Sequence, residues 1–174
     1  MKLRVDNDSK LNPDLQSCKP HHSTLFIDDA TGFVSGSGPA SEVVDGAPVA
    51  LGQNFGMTQA ISTGSITVVR PGTYRLSLHV GSLLGANSSI VAVSIFKNAA
   101  AIATATGFLG GALIANLTSP STAVVETVDI SGIRRLALGD VLTVVCTSNT
   151  GTVTIKNMSF DVEQLTDDAA SSAA

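Results

Sequence analysis

Residues 72–80 read GTYRLSLHV, and this alternation constrains the fold more than any other feature of the chain. Tyr74, Leu76, Leu78 and Val80 point one way, and Thr73, Arg75, Ser77 and His79 the other. A period of two belongs to a strand with one buried face, the usual state of an antiparallel sheet. Pro71-Gly72 ends the preceding apolar run, SITVVR at 65–70. Similar units recur along the chain. TLFI at 24–27 is followed by the turn-rich DDATG. SIVAVSIFKN at 89–98 is apolar on both faces and ends on Asn98, a turn residue. AVVETVDIS at 123–131 alternates. Runs at 133–138 and 141–147 flank Gly139-Asp140. After SNTG comes TVTIKNMSFDVEQL, with a register shift near Asn157. No segment reads as an amphipathic helix and no internal repeat is evident. The pattern predicts an all-β, antiparallel jelly-roll sandwich of about eight to ten strands with an extended N-terminal arm.

Composition supports this and excludes several functions. Charged residues make up 14% of the chain, against about 25% in an ordinary domain. Helices usually carry Glu and Lys on their wet face, and here both are scarce. The net charge is −4, and the largest basic cluster is Arg134-Arg135. Nucleic acid is therefore not an expected partner. With one Tyr and no Trp, there is also no ladder for stacking bases. We divide the chain into an arm at 1–22, a sandwich at 23–165 and a small polar tail at 166–174. The start lacks an apolar stretch long enough for a signal peptide, so cytoplasmic assembly is expected. Residues 99–117 are uncharged, but Ala, Gly and Thr give little transfer energy. They are read as short strands joined by a Gly-Gly loop, with no membrane span. Cys18 and Cys146 fit no zinc spacing and are expected to be free thiols.

The search for chemistry is negative. There is no G-x-S-x-G elbow and no Gly-Lys pair for a phosphate loop. Gly36-Ser37-Gly38 lacks the third glycine of a dinucleotide fingerprint. Adjacent His21 and His22 point in different directions on an extended chain, and His79 stands alone on its strand, so all three read as surface histidines. The pairs Asp28-Asp29 and Asp167-Asp168 lack the aromatics that usually grip sugar beside two catalytic carboxylates. No cofactor, metal or catalytic residue is expected. Asp140 then has a local, structural role. Gly139 permits a positive φ, and the carboxylate accepts nearby backbone N–H groups in a hairpin turn.

The order of these features resembles C1q/TNF-like jelly-roll domains over roughly residues 65–165. GTYRLSLHV is similar to that family's Gly-x-Tyr strand. VSIFKNAAAI is similar to its apolar strand ending in Lys-Asn, LALGDVLTV to its Leu-x-x-Gly-Asp turn, and NMSFDVEQL to its closing strand. Tyr74, Asn98, Leu136, Leu138, Gly139, Asp140 and Phe160 occupy the matching positions. Asp161 stands where the family usually has Gly. The resemblance implies a homotrimer whose axis is lined by apolar strand faces, which accounts for the two-sided apolar run SIVAVSIF at 89–96. It assigns core or trimer packing to Tyr74, Leu76, Leu78, Ile95, Phe96, Leu136, Leu138 and Phe160.

Plain trimers of this type, without catalytic residues, are similar to tailed-bacteriophage virion proteins. The expectation is a non-enzymatic capsid decoration (cement) protein on the virion surface. Its partner would be the major capsid protein, and its arm would lie over the shell. The alternative is a receptor- or glycan-binding head of a phage fibre or bacterial surface protein, using loops at 81–88 and 107–122.

Overall fold

The computed structural model describes residues 20–34, 40–47, 49–84, 90–101, 114–118, 125–148 and 152–167. Among them the chain is an antiparallel β-sandwich, and the sole helical element is a one-turn 3₁₀ segment, Ile61–Thr63. The strands are β1 (His22–Val34), β2 (Ala40–Val43), β3 (Ala50–Phe55), β4 (Thr58–Ala60), β5 (Ser65–Thr67) and β6 (Gly72–Leu84). They continue as β7 (Ile90–Lys97), β8 (Ala100–Ala101), β9 (Ile114–Thr118), β10 (Val125–Leu136), β11 (Val141–Ser148) and β12 (Val153–Asp167). One sheet runs β10-β6-β12-β1-β3. The other runs β4-β5-β11-β7-β8, with β2 also on β11 and β9 also on β7. Neighbours far apart in sequence, such as β1 beside β12, are the jelly-roll pattern.

The alternation read from 72–80 becomes the inner face of β6. Tyr74, Leu76, Leu78 and Val80 are buried against Phe160 and Val162 of β12 and Leu25 and Ile27 of β1. The opposing sheet contributes Ile66, Val91, Val93, Ile95, Leu142, Val144 and Cys146 to the same cluster. Burying this many branched side chains in one layer is the main favourable term for the fold.

Four local expectations change. The turn expected at 28–32 is a bulge inside β1, whose pairing with β12 slips between Asp28 and Phe33. Gly32, at φ +68°, takes the positive φ of that irregularity. The runs read at 123–131 and 133–138 are joined: residues 125–136 form one strand, β10. Ser131 and Gly132 stay in the ladder opposite Ser77 and Leu76, because backbone pairing needs no particular side chain. The run at 65–70 gives only a three-residue strand. Val68 leaves it to exchange hydrogen bonds with Gly139 and Asp140, at 2.8 and 2.9 Å. Of the two roles expected for Leu138, core packing is not met in the single chain: it is 69% exposed at the turn, whereas Leu136, two residues earlier on the inward face of β10, is 2% exposed.

The expected short strands at 99–117 are β8 and β9. Both pair with the same edge of β7, Ala101 opposite Phe96 and Ile114 opposite Ser94. The Gly-Gly loop between them lies outside the described residues, as do Cys18, the Gly36-Ser37-Gly38 cluster, most of the arm and most of the tail.

Candidate functional site

The Gly139-Asp140 junction is a latch between two turns. Gly139 sits at φ +85°. The Asp140 side chain is buried, and its two oxygens accept from the Ala137 N–H and from Asn98 Nδ2, each at 2.8 Å. Asn98 completes the lock. Its Oδ1 accepts from the Val141 N–H and its own N–H donates to the Val141 carbonyl, both at 2.8 Å. Asn98 adopts φ +51°, a left-handed conformation that Asn tolerates. Lys97 Nζ lies 3.5 Å from Asp140 Oδ2. A carboxylate engaged on both oxygens and nearly sealed from water holds the β10–β11 turn against the end of β7, and it is not available as a general base. Gly139, Asp140 and Asn98 thus come together as turn residues.

The outer face of the β10-β6-β12-β1-β3 sheet carries a row with the residue types of a hydrolase. Asp129 lies opposite His79 and His79 opposite Ser159, on three adjacent strands. His79 Nδ1 is 2.7 Å from Asp129 Oδ1. The serine, however, is turned away: its hydroxyl donates to Asp161 at 2.8 Å, and Thr24 donates to the other oxygen of Asp161 at 2.6 Å. His79 and Asp129 are 48% and 81% exposed on an open sheet. Nucleophilic catalysis requires a serine bonded to the base within an enclosed site, and this row offers neither. Arg75 and Glu163 pair at 3.3 Å beside it. The polar groups of this row are thus engaged with one another, and Ile133, opposite Arg75, is exposed beside them.

The opposite sheet has a different outer face. A groove of about 450 Å³ runs along β11, floored by Val141, Thr143 and Val145 and walled by Val43 and Phe96. Asp45, Thr63 and Ala99 complete its lining. Of the expected packing residues, Tyr74, Leu76, Leu78, Ile95, Leu136 and Phe160 are buried, whereas Phe96 is half-buried and faces this groove. Sequence reading found Phe96 but missed Val43, Val141 and Val145. The signal was present in VLTVVCTS, which is apolar on both faces and therefore needs cover on both.

Two polar residues are buried: His21, read from the sequence as a surface histidine, and Arg134, one of the basic pair. His21 donates from Nδ1 to the Gly56 carbonyl at 2.6 Å, and its ring packs edge-on against Phe55. Arg134 is 2% exposed, points inward from β10, and donates to the Ile133 carbonyl at 2.8 Å. Burial lowers its pKa from the ordinary value. The Cys146 thiol lies in the core, where burial and then the charge of Glu42 push its pKa up to about 12. Such a thiol is inert. Among the described residues no three His, Cys, Asp or Glu side chains converge to hold a metal, and no helix is long and apolar enough to cross a membrane.

No protein-family model matches this sequence, and no curated protein matches it either. Solved structures do match in shape. The TNF protein Eiger from S. frugiperda superposes with a TM-score of 0.56 at 14% identity, over 86% of this chain and 95% of that one. The globular domain of zebrafish complement 1qA gives 0.54 at 13% identity, over 86% and 99%. Murine APRIL gives 0.52 at 14% identity, over 83% and 99%. The fold is therefore a TNF/C1q-like jelly roll.

Proposed function

We propose that this chain is a non-enzymatic structural protein of a bacteriophage virion. In this reading it is a homotrimeric decoration protein that binds and reinforces a capsid shell, with the major capsid protein as its partner. The observation that carries the reading is a compact TNF/C1q-like jelly roll without a reactive constellation among its described residues. Polar groups that a catalyst would use are spent on holding the fold: Asp140 on two turns, Ser159 on Asp161, His21 on Gly56. A plain scaffold of this kind suits a role of shape and contact. The low charge and the Ala, Gly, Ser, Thr and Val-rich composition agree with a shell-bound protein. Closed symmetric oligomers are the common assembly for such chains, and the resemblance to C1q/TNF-like domains favours three copies.

Light scattering on a sizing column tests the assembly. A mass three times that of the chain supports the proposal, and a stable monomer overturns its trimeric part. Co-sedimentation with assembled phage shells tests the rest. Saturable binding that raises the temperature of shell disruption is expected. Failure to bind any shell, together with a positive glycan array, would move the protein to a receptor-binding role.

A further inference from the structure

We propose that the groove on the outer face of the β4-β5-β11-β7-β8 sheet is a docking site for this chain's own N-terminal segment, residues 1–5. The groove is lined mostly by apolar side chains, Val43, Phe96, Val141 and Val145 among them, with one carboxylate, Asp45. Among the described residues the Asp45 carboxylate has no hydrogen-bond or ion-pair partner. Lys97, on the same strand as Phe96, is held at Asp140. The site therefore asks for an occupant with a few aliphatic side chains and a positive charge.

The sequence contains such a segment. Residues 1–5 read MKLRV. In an extended chain Met1, Leu3 and Val5 fall on one side, and Lys2 and Arg4 on the other. The aliphatic side can enter the groove while the long basic side chains reach to Asp45. An apolar groove gains by being covered, and the opposite charges fix which segment covers it.

The reach is sufficient. His21 is tied to the Gly56 carbonyl at 2.6 Å, so the chain enters the fold beside the β3–β4 turn. Thr63, at the groove, follows Gly56 by seven residues, so the groove starts within roughly 25 Å of that point. The fifteen residues from Pro20 back to Val5 span up to roughly 50 Å when extended. The inference does not depend on the virion reading, because it concerns only how one chain covers its own face.

The test is carbodiimide cross-linking of the full-length protein, mapped by mass spectrometry in an equal mixture of isotopically light and heavy chains. A Lys2–Asp45 cross-link within light–light and heavy–heavy pairs is expected. Mixed light–heavy links at the same positions would mean that a second copy supplies the segment, and would overturn the proposal. So would Lys2 links scattered over many carboxylates. Limited trypsinolysis gives an independent reading. In Asp45→Lys, cleavage after Arg4 should accelerate by up to about five-fold, the size expected for loss of a partly exposed ion pair, while cleavage after Lys10 stays unchanged. Val43→Lys, which puts a positive charge on the groove wall, should act in the same direction. Equal cleavage rates in wild type and both variants would sink the idea, provided their circular dichroism spectra are the same.

Discussion

The two sheets share one core but finish their outer faces in opposite ways. The β10-β6-β12-β1-β3 sheet has long strands, and β10 pairs with β6 through twelve residues without a slip. Its outer surface carries polar groups that hold one another, Arg75 with Glu163, His79 with Asp129, Thr24 and Ser159 with Asp161, beside the exposed apolar side chains of Val125 and Ile133 on β10. The other sheet is assembled from shorter pieces, among them β4, β5 and β8 of three residues or fewer. It leaves an apolar groove between Val43, Phe96 and Val145. A partner landing on the first face would have to strip water from groups that are already paired, which costs free energy. One landing in the groove gains by removing apolar surface from water. The groove is thus the place on the second sheet where covering gains most, and the N-terminal segment proposed above is its cover.

The strongest way to break that picture is to show that the sheets do not share a core. Phe160 on β12 and Ile95 on β7 are both fully buried in one cluster. Phe160→Ala should cost about 3–5 kcal/mol and Ile95→Ala about 2–5 kcal/mol. Each should still unfold in a single step when urea denaturation is followed by circular dichroism and by Tyr74 fluorescence. Two separated transitions in Ile95→Ala would mean that the second sheet folds on its own terms.

The latch between the turns comes next. Asp140→Ala leaves the Ala137 N–H and the Asn98 amide without their acceptor, and should cost about 1–3 kcal/mol. A loss below about 0.5 kcal/mol, the level of an ordinary surface substitution, would show that water replaces the carboxylate and that the latch is ornamental.

Cys146 offers a pH test of how well the second sheet is sealed from the inside. Its thiol is raised from 9.0 in the open chain to about 12 in the fold. The folded state thus holds the proton more tightly. The stabilisation is complete below pH 9 and is lost as pH rises from 9 toward 12. At pH 10 the deficit should be roughly 1.4 kcal/mol per unit above the unfolded value. Cys146→Ala should flatten the alkaline limb of the stability profile. If the two profiles stay parallel, water reaches the thiol and the sheet is leakier than its packing implies.

The sheet that was easiest to read in the sequence is the one whose central strands, β6 and β12, alternate apolar inward and polar outward residues. GTYRLSLHV and MSFDVEQL alternate because one side meets water, so periodicity alone places Tyr74, Leu76, Leu78 and Phe160 inside. The Gly139-Asp140 turn was legible for a similar reason, since the backbone conformation demands particular residues there. The groove was not legible. In VLTVVCTS and SIVAVSIF both faces are apolar, and a two-sided apolar strand does not say whether its second face meets protein, ligand or chain. Arg134 escaped for the opposite reason: a charged residue in a doublet reads as surface, but its inward position on β10 is fixed by the parity of Ile130 and Leu136. The bulge at 28–32 was hidden because Asp, Thr and Gly favour turns and bulges alike.

The smallest effect tests the comparison most directly. Arg75 and Glu163 are 56% and 47% exposed, so a double-mutant cycle with Arg75→Ala and Glu163→Ala should give a coupling of only about 0.2–1 kcal/mol. The coupling should shrink further in high salt, because water and mobile ions reach both side chains. A larger, salt-insensitive coupling would mean that the pair is shielded, and in a chain whose own atoms leave it half open the shield has to be another molecule. The polar sheet, and not the apolar groove, would then be the face on which copies meet, and the paired groups would be the specificity elements of that contact.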